Sequence, residues 1–397
     1  MPLRVNVRSR RFAFWTSAAV VMHTIWTSAA PVMTYPLYAS EWGLSHVATT
    51  SIFAIYPCLV VFMLVMFGDV SDFIGRRAAM LMGLAASLAG VFLFAVASDI
   101  DWIFVGRALM GIGVGLSASP STAAVVEFSA PGEAARAGAV TAVAQGVGLG
   151  LAVLVGGALI EYAPFPTRLN FWVLLLVIAG MLVAAWFLPR HTAAEAAGRW
   201  RPKLPSVSRS VFAVFLTSTV AVTTAYAVGA MMLSLGAQIA RELIDSRNTL
   251  VSAAAIAAFA AVTAAGAIAG RRTGARRAIA IGGGATIVGV GLLALAAWRH
   301  SLPAFFSSSA FIGVGYSLLF SGGLNYLNAN APAHHRAGTL SALYLVAYVM
   351  QAAVALSLGV MATLWGLGRS IEIGCGGLAI FAALAVALSF RRPAPER

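Results

Sequence analysis

The chain has 397 residues, is 60% hydrophobic and only 10% charged, and carries a formal net charge of +13. A soluble domain of this length needs a far more charged surface. The arginines are dispersed between apolar runs, which also argues against nucleic-acid binding, since that needs a basic patch on a soluble fold.

Long apolar runs with few charges read as bilayer spans, each needing ~20 residues to cross ~30 Å of hydrocarbon. Arg4, Arg8, Arg10 and Arg11 precede the first run, Phe12–Thr34. It exceeds the ~7–15-residue core of a signal peptide, so it reads as a retained first span. Eleven more follow at 46–67, 77–97, 102–126, 137–160, 169–188, 210–236, 248–270, 277–297, 302–326, 337–362 and 371–390. The sequence predicts an all-α integral membrane protein of twelve transmembrane helices in two pseudo-symmetric six-helix halves. A Pro-, Arg- and Ser-containing stretch at 191–209 is the natural linker between halves at 1–190 and 210–397. Cys58 and Cys375 lie inside apolar runs and read as small core residues, with no disulfide framework or zinc-ligand spacing.

With the N-terminus inside, twenty lysines and arginines fall in inner segments, five in outer loops, and Arg107 within a span. Positive charge collects on the cytoplasmic side, so both termini are expected there. This also accounts for the net charge. Three strings recur at an offset of 200 residues: IGVG at 112 and 312, RAG at 136 and 336, RRA at 76 and 276. Their shared offset argues for duplicated halves, an architecture that places a substrate site near the midplane.

The stretch GDVSDFIGRR, residues 68–77, sets a polar hairpin between two apolar runs. Gly68 and Gly75 permit a tight turn and close helix approach. Asp72 suits the positive N-terminal end of another helix. Arg76 and Arg77 can pair with carboxylates and anchor at an anionic leaflet. The pattern resembles G-x-x-x-D-x-x-G-R-R/K, the signature of the major facilitator superfamily between its second and third spans. Over the whole chain, the twelve spans and long central inner loop resemble that family too. The resemblance implies alternating access by rocking of two halves. It also implies that the hairpin is a gate latch, with Asp72 docking near Arg336–Thr339 at the start of the eleventh span. At the 200 offset Arg272 stands for Asp72 and Ala275 for Gly75, so the latch is expected to rest on the first half. Glu127 and Arg136 resemble the family's acidic–basic pair in the next inner loop, tied to the Arg76 region; plain solvated charges are the alternative.

Charges within a span are costly and mark function by default. RALMG, 107–111, resembles the family's R-x-x-x-G motif, implicated in proton transfer or substrate handling; a snorkelling Arg107 is the alternative. His23 lies ~18 Å along its helix from Arg11, either a proton relay or ligand group or a hydrogen-bonded interior histidine. QGVGLGLAVLVGG, 145–157, has small-residue spacing for close packing. It resembles, in degraded form, the fifth-span motif of drug:proton antiporters, with Ala152-Val153 replacing the expected Gly-Pro core. Trp26, Gln145, Thr217, Thr223, Thr224, Tyr226, Tyr344, Tyr348 and Gln351 either line a largely apolar cavity or make ordinary helix contacts. None of the 13 acids falls deep in a span. A cation would find no counter-ion, whereas Arg107 and His23 could attract an anion or polarise a neutral ligand.

No ATP-binding motif is present, and no cofactor or metal is expected; a proton gradient is the expected energy source. The expectation is a monomeric secondary transporter of a bacterial-type inner membrane, exporting small, fairly hydrophobic molecules by proton coupling, with no nucleic-acid partner. Proton-coupled or facilitated uptake of a small organic or aromatic acid is the alternative. A non-transporting receptor on the same fold is a third reading. An enzyme would need a clustered nucleophile and base that the spans do not offer.

Overall fold

A computed structural model describes residues 7–130, 132–189, 205–246 and 248–390. Arg4, Arg190, Arg199, Arg201, Lys203, Arg247, Arg391, Arg392 and Arg397 lie outside the described residues, as does the linker up to 204. The described residues contain helices and no strands: α1 (Val7–Ala29), α2 (Tyr35–Trp42), α3 (His46–Phe67), α4 (Ser71–Ile74), α5 (Arg76–Val96), α6 (Ile100–Glu127), α7 (Ala134–Tyr162), α8 (Leu169–Trp186), α9 (Phe212–Gln238), α10 (Thr249–Ala269), α11 (Ala275–Arg299), α12 (Leu302–Asn330), α13 (Ala333–Trp365) and α14 (Leu367–Phe390). Twelve of them run to 18 residues or more. Each matches one expected span, because a helix satisfies all its backbone groups internally in hydrocarbon. Eleven are apolar enough to cross a membrane on length and composition; α1 is as long but more polar.

Two boundaries differ from the sequence reading. The first span was expected to reach Thr34, but α1 stops at Ala29. Pro31 has no backbone N–H and ends the ladder, and Pro36 then sits in the first turn of α2. The seventh span was expected to end at 236, but α9 runs on through a π-helical turn, Ile239–Leu243. Cys375 is buried as expected; Cys58 is exposed, because the position after Pro57 faces out from α3 rather than into the core.

The chain forms two compact units, one of Met1–Ala30 with Cys58–Lys203, the other of Pro31–Pro57 with Leu204–Arg397. In the first, α1 packs on α6 and α7, and α5 packs on α6 and α8. In the second, α9 packs on α12 and α13, and α11 packs on α12 and α14. Counted by spans, these four pairings are the same in both units.

Glycines let these helices meet backbone to backbone. A Cβ on Gly83 would stand 2.6 Å from the Gly113 carbonyl, and one on Gly113 would stand 2.5 Å from the Gly83 carbonyl. In the second unit a Cβ on Gly282 would stand 2.8 Å from the Leu319 amide, and one on Gly315 would stand 3.1 Å from the Gly282 carbonyl. In lipid, such contact replaces the hydrophobic drive as the force between helices. The IGVG strings are two residues out of structural register. Gly113 faces α5, but Gly313 faces Phe259 of α10, and Gly315 is the residue that faces α11.

Gly113→Ala must displace the Gly83 backbone, costing ~1–3 kcal/mol as over-packing does. Gly291, which has nothing within 4 Å of its would-be Cβ, should accept alanine freely. Thermal unfolding in detergent should show a lowered midpoint for Gly113→Ala and none for Gly291→Ala; equal midpoints would refute the close approach.

Candidate functional site

Three groups of side chains stand out, two in the first unit. The first lies on α1. His23, Trp26 and Thr27 sit at i, i+3 and i+4, hence on one helix face. His23 and Thr27 are fully buried, and Trp26 is 6% exposed. Trp26 Nε1 and Thr27 Oγ1 have no hydrogen-bond partner, and the His23 ring has only a loose approach to the Val20 backbone. Arg107 of α6 is fully buried against this face, its Nη1 donating to the Thr27 carbonyl at 3.5 Å. The guanidinium therefore points into the unit and does not snorkel. The α7 backbone closes on α1 at Gly148, where a Cβ would stand 3.3 Å from the Trp26 amide. Gln145 lies exposed one turn away on α7. The face thus holds a buried cation beside polar groups with unused hydrogen-bonding capacity, each costly to leave unmet.

The second group is the hairpin after α3. Gly75 adopts φ +89°, a conformation that L side chains rarely adopt. This turn separates the one-turn α4 from α5. Asp72 forms an ion pair with Arg76, which also donates to Ser71 Oγ. Arg77 lies over the Trp186 ring at 5.2 Å, a cation–π contact that ties α5 to α8. Gly68 follows the last residue of α3. Glu127 is the last residue of α6. Arg136 pairs with Glu133 at 3.0 Å, both half-exposed, a partner the sequence reading did not single out. Arg336, near the start of α13, donates to the Ala331 carbonyl at 3.3 Å.

The third group lies in the second unit and is aromatic. Tyr226 of α9 stacks on Phe320 at 5.9 Å and on Tyr316 at 6.3 Å, and meets Tyr348 edge-on at 5.0 Å. Phe259 stands edge-on to Tyr316 at 5.6 Å. Tyr344, Tyr348 and Gln351 fall at i, i+4 and i+7 on α13, hence on one face. Gln351 Oε1 is buried without a partner. Gly229 makes room for the Tyr316 ring, since a Cβ there would stand 2.9 Å from it. None of these residues is charged. Tyr316 and Phe320 escaped the sequence reading, though their i, i+4 spacing directly after the IGVG repeat was visible.

Comparison with known proteins resolves the class. The Major Facilitator Superfamily profile matches residues 15–240, more than half the chain, and the chain belongs to that family. Its long apolar helices make it a multi-pass membrane protein of that family. An MFS-type transporter of Aspergillus terreus is 27% identical over 158 residues, 40% of this chain and 27% of that protein. Puromycin resistance protein pur8 of Streptomyces alboniger is 28% identical over 129 residues, 32% of this chain and 25% of that protein. The aligned stretches thus span only about a quarter of these relatives. A crystal structure of a variant peptide transporter POT superposes with a TM-score of 0.75 at 17% identity, covering 95% of this chain and 93% of that one. At that identity it shows the fold alone.

Asp72→Asn removes the hairpin's ion pair while keeping its shape. Transport should fall at least about tenfold, with the amount in the membrane unchanged on an immunoblot. Unimpaired transport would make the hairpin an anchor and not a gate.

Proposed function

We propose that the chain is a proton-coupled exporter of small, planar, largely apolar compounds, working by alternating access in a bacterial-type inner membrane with both termini cytoplasmic. The aromatic cluster around buried Tyr226, in which Tyr316, Phe320, Tyr344 and Tyr348 are partly exposed, carries this reading. Its flat rings offer stacking contacts, and tyrosine hydroxyls and the Gln351 amide add a few hydrogen-bonding groups. A recognition site that is mostly apolar with few polar groups selects shape before charge. The alignment with a puromycin resistance protein supports export of a drug-like molecule. His23 and Arg107 are the candidates for handling the proton, since both are buried on or against the α1 face. The same buried arginine favours one other reading, uptake of a small organic acid whose carboxylate it would hold.

Everted vesicles with an acid-inside gradient, read by a quenched dye, separate the two. A planar hydrophobic compound should restore fluorescence in wild type and not in Asp72→Asn. Tyr348→Leu should raise the half-saturating concentration about three- to tenfold, the worth of one aromatic contact. Silence towards such compounds, together with accumulation of a labelled aromatic acid by intact cells, would replace export by uptake.

A further inference from the structure

The segment Pro31–Pro57 belongs to the same compact unit as Leu204–Arg397, and a polar chain fastens it there. The Thr49 hydroxyl donates to the His46 carbonyl at 2.9 Å. With its single proton so used, Thr49 Oγ1 accepts from Gln238 Nε2 at 3.1 Å. This fixes the amide, so that Gln238 Oε1 faces His46 Nδ1 at 3.2 Å. An amide oxygen only accepts, hence Nδ1 carries a hydrogen. In a neutral ring Nε2 then presents a lone pair, and it faces Glu242 Oε2 at 3.6 Å. Lone pair against carboxylate is repulsive; a second proton turns the same contact into an ion pair.

The fold builds this arrangement deliberately from irregular parts. Gln238 ends α9 and Glu242 lies in the π-helical turn, a distortion frequent at functional sites. Gln238 and Thr49 are fully buried, whereas the side chains of His46 and Glu242 are 22% and 41% exposed. The ring is therefore open to the outside of the protein on one edge. The surrounding docking contacts are neutral: the Val47 amide donates to Thr363 Oγ1 at 3.0 Å, and Gly359 receives Thr50. Other ionisable groups on the neighbouring elements are Tyr35, Tyr38 and Glu41 on α2, Tyr56 on α3, Arg241 in the π turn and Asp245 just after it, Arg299 and His300 at the end of α11, and Arg369 and Glu372 on α14. Arg241 donates to the Pro36 carbonyl at 3.5 Å, and the His300 ring contacts the Leu243 carbonyl. Among the described residues, Glu242 is the one carboxylate ion-paired to His46. The chain leaves the unit at Pro57, inside α3. A proline there removes one ladder hydrogen bond and gives the helix a place to bend.

We propose that His46 is a proton-binding site whose occupancy holds Pro31–Pro57 on the C-terminal helices, and whose deprotonation releases it. Histidine is the side chain that ordinarily titrates between about pH 5 and 8. The device needs no substrate, so it stands or falls independently of the export reading.

The test uses the full-length protein in lipid nanodiscs, with Cys58→Ser and Cys375→Ala and spin labels at Ser40→Cys and Leu364→Cys. Both labelled positions are exposed and lie in the same unit. Pulsed electron resonance is recorded at about pH 5 and about pH 8.5, either side of the histidine range. A single short distance is expected at the acid pH. A second, longer distance should appear at the alkaline pH, the docked-to-released ratio falling by up to about fivefold, the worth of a half-exposed ion pair. His46→Gln and Glu242→Gln should each give the same distribution at both pH values. Identical wild-type distributions, or a pH response that survives in either variant, would overturn the proposal. Glu242→Gln preserves shape and so guards against a folding artefact in His46→Gln.

Discussion

A bilayer offers no water, and the rest of this structure follows from that. Each peptide group must bond within its own helix, and helices must cohere without a hydrophobic drive between them. The chain answers with glycine. Where α5 crosses α6 and α11 crosses α12, backbone atoms sit where side chains would otherwise stand. The two units use the same pairing of spans, and each is stiffened by the same device.

The same constraint makes polar residues informative, because a buried polar group costs free energy unless something meets it. Arg107, His23, Trp26 and Thr27 gather on one side of α1. The tyrosines gather around α9 in the other unit. The hairpin charges Asp72 and Arg76 pair locally at a turn that requires Gly75. Other buried polar groups, such as Asn170 and Gln238, bond across to neighbouring segments. The buried cation in one unit and the uncharged aromatic cluster in the other are chemically distinct.

Much of this was legible in sequence because hydropathy reads the bilayer constraint directly. The second span was expected at 46–67, where α3 runs. The hairpin signature identified the family from ten residues. Other features depend on contacts that no local pattern encodes. The π turn at Ile239–Leu243 has no composition signal, so Gln238 and Glu242 were not singled out. Pro57 gives no boundary signal in the sequence, because its effect depends on which helices receive His46–Pro57. The sequence leaves Arg107 open between snorkelling and inward burial; the Thr27 carbonyl beside the buried guanidinium decides it. Beyond their i, i+4 spacing, Tyr316 and Phe320 carry no signal in the sequence, because a helix aromatic is more often ordinary packing. Their importance comes from Tyr226 and Tyr348 arriving on other helices.

In the proposed reading the uncharged aromatic cluster of the C-terminal unit recognises the solute. Equilibrium binding of a radiolabelled planar aromatic compound to the purified protein tests it most directly, comparing wild type with Tyr316→Leu and Arg107→Gln. Wild-type binding should be saturable, weaken about three- to tenfold in Tyr316→Leu and persist in Arg107→Gln. Binding that ignores Tyr316 and vanishes with Arg107 would contradict it and place recognition on the buried arginine instead.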